Sequence, residues 1–164
     1  MTIFVKNKHT LQIDEFKFKC CIGKRGSNSN KKEGDKKTPK GTFEIENLYY
    51  RKDRKDKPAT LLKCVKIKKN MGWCNDVSFQ TKYNKLMKVD KKINHEKLMR
   101  KDNKYDFFIP IKYNFKKRIT GKGSCIFIHI TNNYKPTAGC IALKKKDLLI
   151  LLKLINKKTK IKIY

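Results

Sequence analysis

Residues 123–143 restrict the possible folds more than any other stretch of this chain. From 125 to 131 the sequence runs Cys-Ile-Phe-Ile-His-Ile-Thr, β-branched and aromatic, with Gly123 as punctuation before it. That composition predicts a strand. Residues 132–137 contain Asn-Asn and Lys-Pro, which are loop formers, and residues 138–143 are small and apolar again. The reading is strand, loop, strand. A period of two puts Ile126, Ile128 and Ile130 on one face of the first strand and Phe127, His129 and Thr131 on the other. Closed as an antiparallel hairpin, the two strands would set Thr131 opposite Ala138, Ile130 opposite Gly139 and His129 opposite Cys140. Opposed residues share a face with Cβ atoms roughly 4.5–5.5 Å apart. A slip of one residue would turn the cysteine to the other face.

A thiol beside an imidazole has a chemical use. The thiolate is the nucleophile, and the imidazole can take the thiol proton and later return it to a leaving amine. That makes Cys140 and His129 the candidate catalytic pair. Gly139 lets the backbone approach a substrate closely, and its N–H and that of Cys140 are candidate oxyanion donors. The plainer alternative is a cysteine serving as a small core residue and a histidine serving as a structural one.

The remaining chain predicts a mainly β protein with a few short helices. Residues 2–7 and 10–13 form strands around a turn at Lys8 and His9, and residues 16–23 alternate as a third strand. Residues 24–37 form a polar loop too long for a simple turn. Thr38-Pro39-Lys40-Gly41 predicts a turn, with Pro39 fixing φ at its second position, and a strand follows at 43–45. The mixed charges of 49–58 predict an exposed loop, and residues 60–68 a strand. Residues 94–100 predict a short helix capped by Asn94, with His95 facing either a groove or solvent. Residues 105–111 form a strand that Pro110 assigns to an edge or bulge. Leu148, Leu149, Leu151, Leu152 and Ile155 make one apolar face of a helix spanning residues 144–154, and residues 159–164 alternate as a last strand. No linker or repeat divides the chain, so residues 1–164 are expected to be one domain.

Two segments resemble a known family. Phe127-Ile128-His129, the loop, and Thr137-Ala138-Gly139-Cys140-Ile141-Ala142-Leu143 resemble the signature of the L,D-transpeptidase catalytic domain, the YkuD domain. That signature is a His, a spacer, then Ser or Thr, one residue, Gly and Cys. The spacer here is short, Ala138 stands where the family usually has a second His, and Ala142 replaces a common polar residue, as in a short-loop branch. Gly34-Asp35 and Thr38-Pro39-Lys40-Gly41-Thr42-Phe43 resemble the family's upstream Gly-Asp…Thr-Pro-x-Gly-x-Phe segment. The resemblance implies a β-sandwich-like fold and an acyl transfer on peptidoglycan stem peptides. It gives Cys140 as nucleophile, His129 as proton shuttle, the Ile130 carbonyl as orienting group and Gly139 as oxyanion donor. Trp73, His95, Tyr134 and Thr137 are the candidate substrate-lining residues. Resolution of the thioester by water instead of an amine would make the protein an L,D-carboxypeptidase. The family needs no metal or cofactor, and a monomer is expected.

Composition bears on partners. The formal net charge is +29, from 43 Lys and Arg against 14 Asp and Glu. Such a charge attracts anionic polymers and membrane surfaces, so a non-catalytic basic protein binding nucleic acid or an anionic envelope polymer is the second function class. The excess is mostly lysine, is spread along the chain and lacks a basic-aromatic motif, which argues against specific nucleic-acid recognition. The six cysteines include no Cys-x-x-Cys pair, so no zinc site is spelled and free thiols are expected. No transmembrane segment is present, and the first residues have too short an apolar run for a signal peptide. The family's substrate nonetheless implies the cell envelope.

Overall fold

The computed structural model describes residues 1–164. Strands β1 (Thr2–Lys6), β2 (Thr10–Ile13) and β3 (Phe16–Cys21) form an antiparallel meander. The first turn has Asn7 and Lys8 at φ of 50° and 60°. This backbone twist matches that of the flanking strands. Alternation is faithful here: Ile3, Val5, Leu11 and Ile13 are buried, and their neighbours along the strands are not.

Around this meander grows a ten-stranded sheet. On one side β15 (Lys160–Ile163) runs parallel to β1, and β6 (Gly41–Glu44) pairs with β15 at the edge. On the other side follow β14 (Ile141–Leu143), β13 (Phe127–Ile130), β12 (Phe107–Pro110), β7 (Leu48–Tyr50) and β8 (Cys64–Lys66). The sheet curls until its edge meets its interior. Lys112 N–H donates to Glu44 O at 2.8 Å and Glu46 N–H to Pro110 O at 2.9 Å. The enclosed core holds 25 buried residues and is completed by Leu148, Leu151 and Leu152 of α1 (Lys145–Leu154) with Ile155. Each such leucine contributes about 1.5–3 kcal/mol by leaving water. The chain is thus mainly β with a single helix, which is too short and polar to cross a membrane.

A second cluster lies on the opposite face of the β12–β13 ladder. Tyr49, Trp73, Tyr105, Phe108 and Phe127 pack there with Cys140. It is covered by a three-stranded sheet in which β9 (Met71–Cys74) lies between β10 (Leu86–Lys88) and β11 (His95–Lys97). Period two operates on β13 as expected, sending Ile126, Ile128 and Ile130 into the main core and Phe127 into this second one.

Several local expectations give way to tertiary pairing. The strands β13 and β14 are parallel, not an antiparallel hairpin, with Ile128 opposite Ile141 and His129 opposite Ala142. The connection of residues 131–140 is long enough to travel back beside β13, because ten extended residues reach about 33 Å. On the way Thr137 N–H bonds to Ile22 O at 2.9 Å, and β3 takes the antiparallel place beside β14. Residues 94–100 are not helical: Asp76 Oδ2 takes the Asn94 N–H at 2.9 Å, and β11 is zipped onto β9. Thr38 and Pro39 form no turn but the extended β5, parallel to β4 (Ser27–Asn28). Pro110 ends an interior strand instead of marking an edge, so its missing N–H falls at the terminus of β12. Arg51 is buried within a stretch expected to be exposed, because Asp53 pairs with its guanidinium at 2.6 Å.

Candidate active site

Parallel pairing still brings the candidate pair together. Cys140 precedes β14 by one residue, and alternation puts it on the same face as Ala142, whose partner across the ladder is His129. Cysteine and histidine are therefore diagonal neighbours on one face. Both line a groove of about 660 Å³, with Cys140 9% and His129 6% exposed at its floor.

Each side chain is held by backbone. The Cys140 thiol donates to Cys125 O at 3.2 Å and accepts from Phe127 N–H at 3.4 Å. Cys125 sits at φ 54°, a conformation a cysteine rarely adopts, and this bend presents its carbonyl to the thiol. His129 Nδ1 lies 2.8 Å from Ile130 O. A carbonyl can only accept, so Nδ1 carries the proton and Nε2 keeps its lone pair. The Tyr105 ring stands edge-on to the imidazole, with centroids 5.4 Å apart, and its hydroxyl donates to Glu96 Oε1 at 2.9 Å.

Burial keeps both groups neutral. Desolvation pushes the Cys140 thiol up to about 12 and the His129 imidazole down to about 4. At neutral pH the resting pair is thiol and free base, not thiolate and imidazolium. Such a site can transfer the thiol proton to Nε2 as the sulfur attacks, with no ion pair to be desolvated beforehand.

The loop before Cys140 is tied down by two threonines. Thr137 Oγ1 donates to Cys140 O at 2.6 Å and accepts from Gly139 N–H at 3.1 Å. Thr38 Oγ1 accepts from Gly23 N–H and donates to Gly139 O, both at 2.9 Å. Gly139 has φ of 149°, and a Cβ there would lie 2.9 Å from Lys37 O. No other residue fits this position without moving the 37–39 segment. The Gly139 N–H expected to serve as an oxyanion donor is thus already engaged, whereas the Cys140 N–H donates to no protein group.

Cys140, His129, Ile130, Gly139 and Thr137 all line the groove. Trp73, His95 and Tyr134 do not. Trp73 is buried under the floor, edge-on to Phe127 at 5.3 Å, with its indole N–H on Asn84 Oδ1 at 3.0 Å. His95 is drawn away by its strand, with Nδ1 2.7 Å from Ile93 O and its ring packed over Gly72. Tyr134 turns out toward the ammonium groups of Lys19 and Lys144, 4.8 and 5.8 Å from its ring. The lining instead includes residues that no motif singled out: Lys31, Glu33, Glu96, Arg100 and Lys104. Glu33 accepts from Ser124 Oγ at 2.7 Å and from the Tyr83 hydroxyl, which fastens the polar 24–37 loop to the segment leading into β13 and to the turn before β10. The length of that loop was its one legible signal.

No three His, Cys, Asp or Glu side chains are grouped as metal ligands, and all six cysteines are free thiols. Neither a curated protein nor a solved structure matches the chain. A family model does: the one described as YkuD, L,D-transpeptidase catalytic domain, matches residues 1–163. With essentially the whole length covered, and a curled, mainly β architecture consistent with that fold, the chain belongs to the L,D-transpeptidase catalytic domain family.

Proposed function

We propose that the protein is a cysteine-dependent L,D-transpeptidase that acts on peptidoglycan stem peptides through a thioester acyl-enzyme. The observation that carries this reading is Cys140 and His129 sharing one face and one groove, with His129 Nδ1 committed to Ile130 O so that Nε2 is the basic nitrogen. Cys140 Sγ attacks the carbonyl of the L-centre that precedes a terminal D-residue. The thiol proton passes to His129 Nε2 as the S–C bond forms. The tetrahedral intermediate then expels the D-residue as its amine, protonated by the imidazolium. The amine of a second stem attacks the thioester, gives its proton to Nε2 and restores the thiol. Attack by water at that step gives an L,D-carboxypeptidase from the same site.

The groove suits an anionic peptide end. Lys31, Lys36, Arg100, Lys104 and Lys135 line it against Glu33, Glu96 and Asp102. The excess of cations favours a substrate that brings carboxylates. Incubation with tetrapeptide muropeptides, followed by intact-protein mass spectrometry, tests the reading. An acyl adduct on Cys140 that has lost the D-residue, absent in Cys140→Ala, is the expected result. No adduct and no turnover across acceptors would refute it.

A further inference from the structure

Lys31 is the only buried lysine of the chain, with 3% of its surface exposed. Its course is built by two glycines. Its Cε, Cδ and Cγ atoms lie 2.9, 3.1 and 3.2 Å from where a Cβ at Gly123 would be, so any other residue at 123 would block the stem. Its Nζ ends 3.6 Å from the corresponding point at Gly139, the residue before Cys140. Both glycines have positive φ, 102° and 149°. The ammonium donates to Asp35 Oδ1 at 2.7 Å and to Lys32 O at 3.3 Å. Asp35 is itself fixed by the N–H groups of Lys32 and Lys37 at 2.8 and 2.9 Å. An ammonium has three protons, so one remains, and Lys31 lines the same groove as Cys140.

This placement meets a deficit. Acyl transfer at Cys140 generates an oxyanion that a pair of donors normally stabilises. The Cys140 N–H is unengaged, but the Gly139 N–H is held by Thr137. We propose that the Lys31 ammonium supplies the second donor and contacts the oxyanion directly, making Lys31 a catalytic residue of this chain. The proposal rests on the acyl-transfer reading but not on the identity of the peptide. As the S–C bond forms, the carbonyl π pair moves to oxygen, and Lys31 and the Cys140 N–H hold that charge. No proton leaves Lys31. The electron pair returns when the C–N bond breaks.

The test separates oxyanion chemistry from simple thiol reactivity. Acetylation of Cys140 by p-nitrophenyl acetate passes through an oxyanion, whereas alkylation by iodoacetamide does not. In Lys31→Met, which keeps the stem over Gly123, the nitrophenolate burst is expected to slow about 10²–10³-fold, with alkylation of Cys140 within about fivefold of wild type. A burst left near the wild-type rate, or both rates falling together, overturns the proposal. The latter result would make Lys31 only the structural partner of Asp35. Should the variant not fold, a wild-type crystal structure with a peptide aldehyde decides. The hemithioacetal oxygen must lie within hydrogen-bond distance of Lys31 Nζ, and an oxygen turned elsewhere refutes the role. If stem peptides are not turned over while the Lys31-dependent ester burst persists, the peptidoglycan reading fails alone. If Lys31→Met turns over stem peptides at the wild-type rate, the lysine proposal fails alone.

Discussion

The neutral state of the candidate pair Cys140 and His129 can be measured as the pH dependence of Cys140 alkylation. An ordinary thiol near 8.5 is about 3% thiolate at pH 7. Burial pushes Cys140 up to about 12. That leaves a thiolate fraction of about 10⁻⁵ at pH 7, roughly 3000-fold less. A more basic thiolate is also more nucleophilic, by about 40-fold over that interval at a Brønsted slope near 0.45. The net expectation is alkylation roughly 100-fold slower than for an exposed thiol, before restricted access adds its share. The log rate should rise by about one per pH unit from 7 to 10, with no plateau. Iodoacetamide labelling of Cys140, read peptide by peptide, gives the curve, and the same thiol in urea gives the reference. A plateau with its midpoint below pH 8 would refute the reasoning. It would mean that His129 is charged and holds a thiolate in the resting site.

Two further outcomes probe the supports of the site. His129 is pushed down from 6.5 to about 4 by burial, so the unfolded chain takes up a proton that the folded chain refuses. Its contribution to stability is complete above pH 6.5 and lost as pH falls toward 4, about 2–3 kcal/mol by pH 4.5. The gap between the urea midpoints at pH 7 and 4.5 should therefore be smaller in His129→Gln than in wild type, and equal gaps would contradict the burial argument. Thr38→Val strands the Gly23 N–H and Gly139 O in a fully buried place and should cost about 2–4 kcal/mol, with Thr38→Ser recovering most of it. An unchanged melting temperature would deny Thr38 its place in holding the loop before Cys140.

What the sequence discloses about this fold follows the range of the interaction concerned. The β1–β2–β3 meander is legible because its pairs are neighbours in the chain and one face of each strand is buried. The helix is legible from its leucines. Residues 94–100 mislead because Asn94 looks like a cap, while its N–H is claimed by Asp76, a residue on another segment. Thr38 misleads in the opposite direction. Thr-Pro-x-Gly has the chemistry of a turn, yet its hydroxyl reaches Gly139 and its backbone extends beside Ser27. Lys31 is the hardest to foresee. One lysine among many looks solvated until Gly123 and Gly139 are seen to open its path.

Cys140 and His129 share a face although the antiparallel hairpin expected of their strands does not form, and the cause is periodicity. Antiparallel closure set His129 against Cys140, whereas parallel pairing sets it against Ala142. The two positions differ by two, one full period of a strand, so the face is preserved and only the offset changes. The offset has consequences. A directly opposed cysteine would press its sulfur against the imidazole, whereas the diagonal arrangement seats the sulfur on the backbone at Cys125 and Phe127. The thiol proton is thus engaged with a carbonyl at rest, and the charge-separated state has no standing support from the ring. Both features agree with the neutral state that burial imposes, so the proposed mechanism requires the thiolate to be generated only as a substrate arrives and excludes water from the groove.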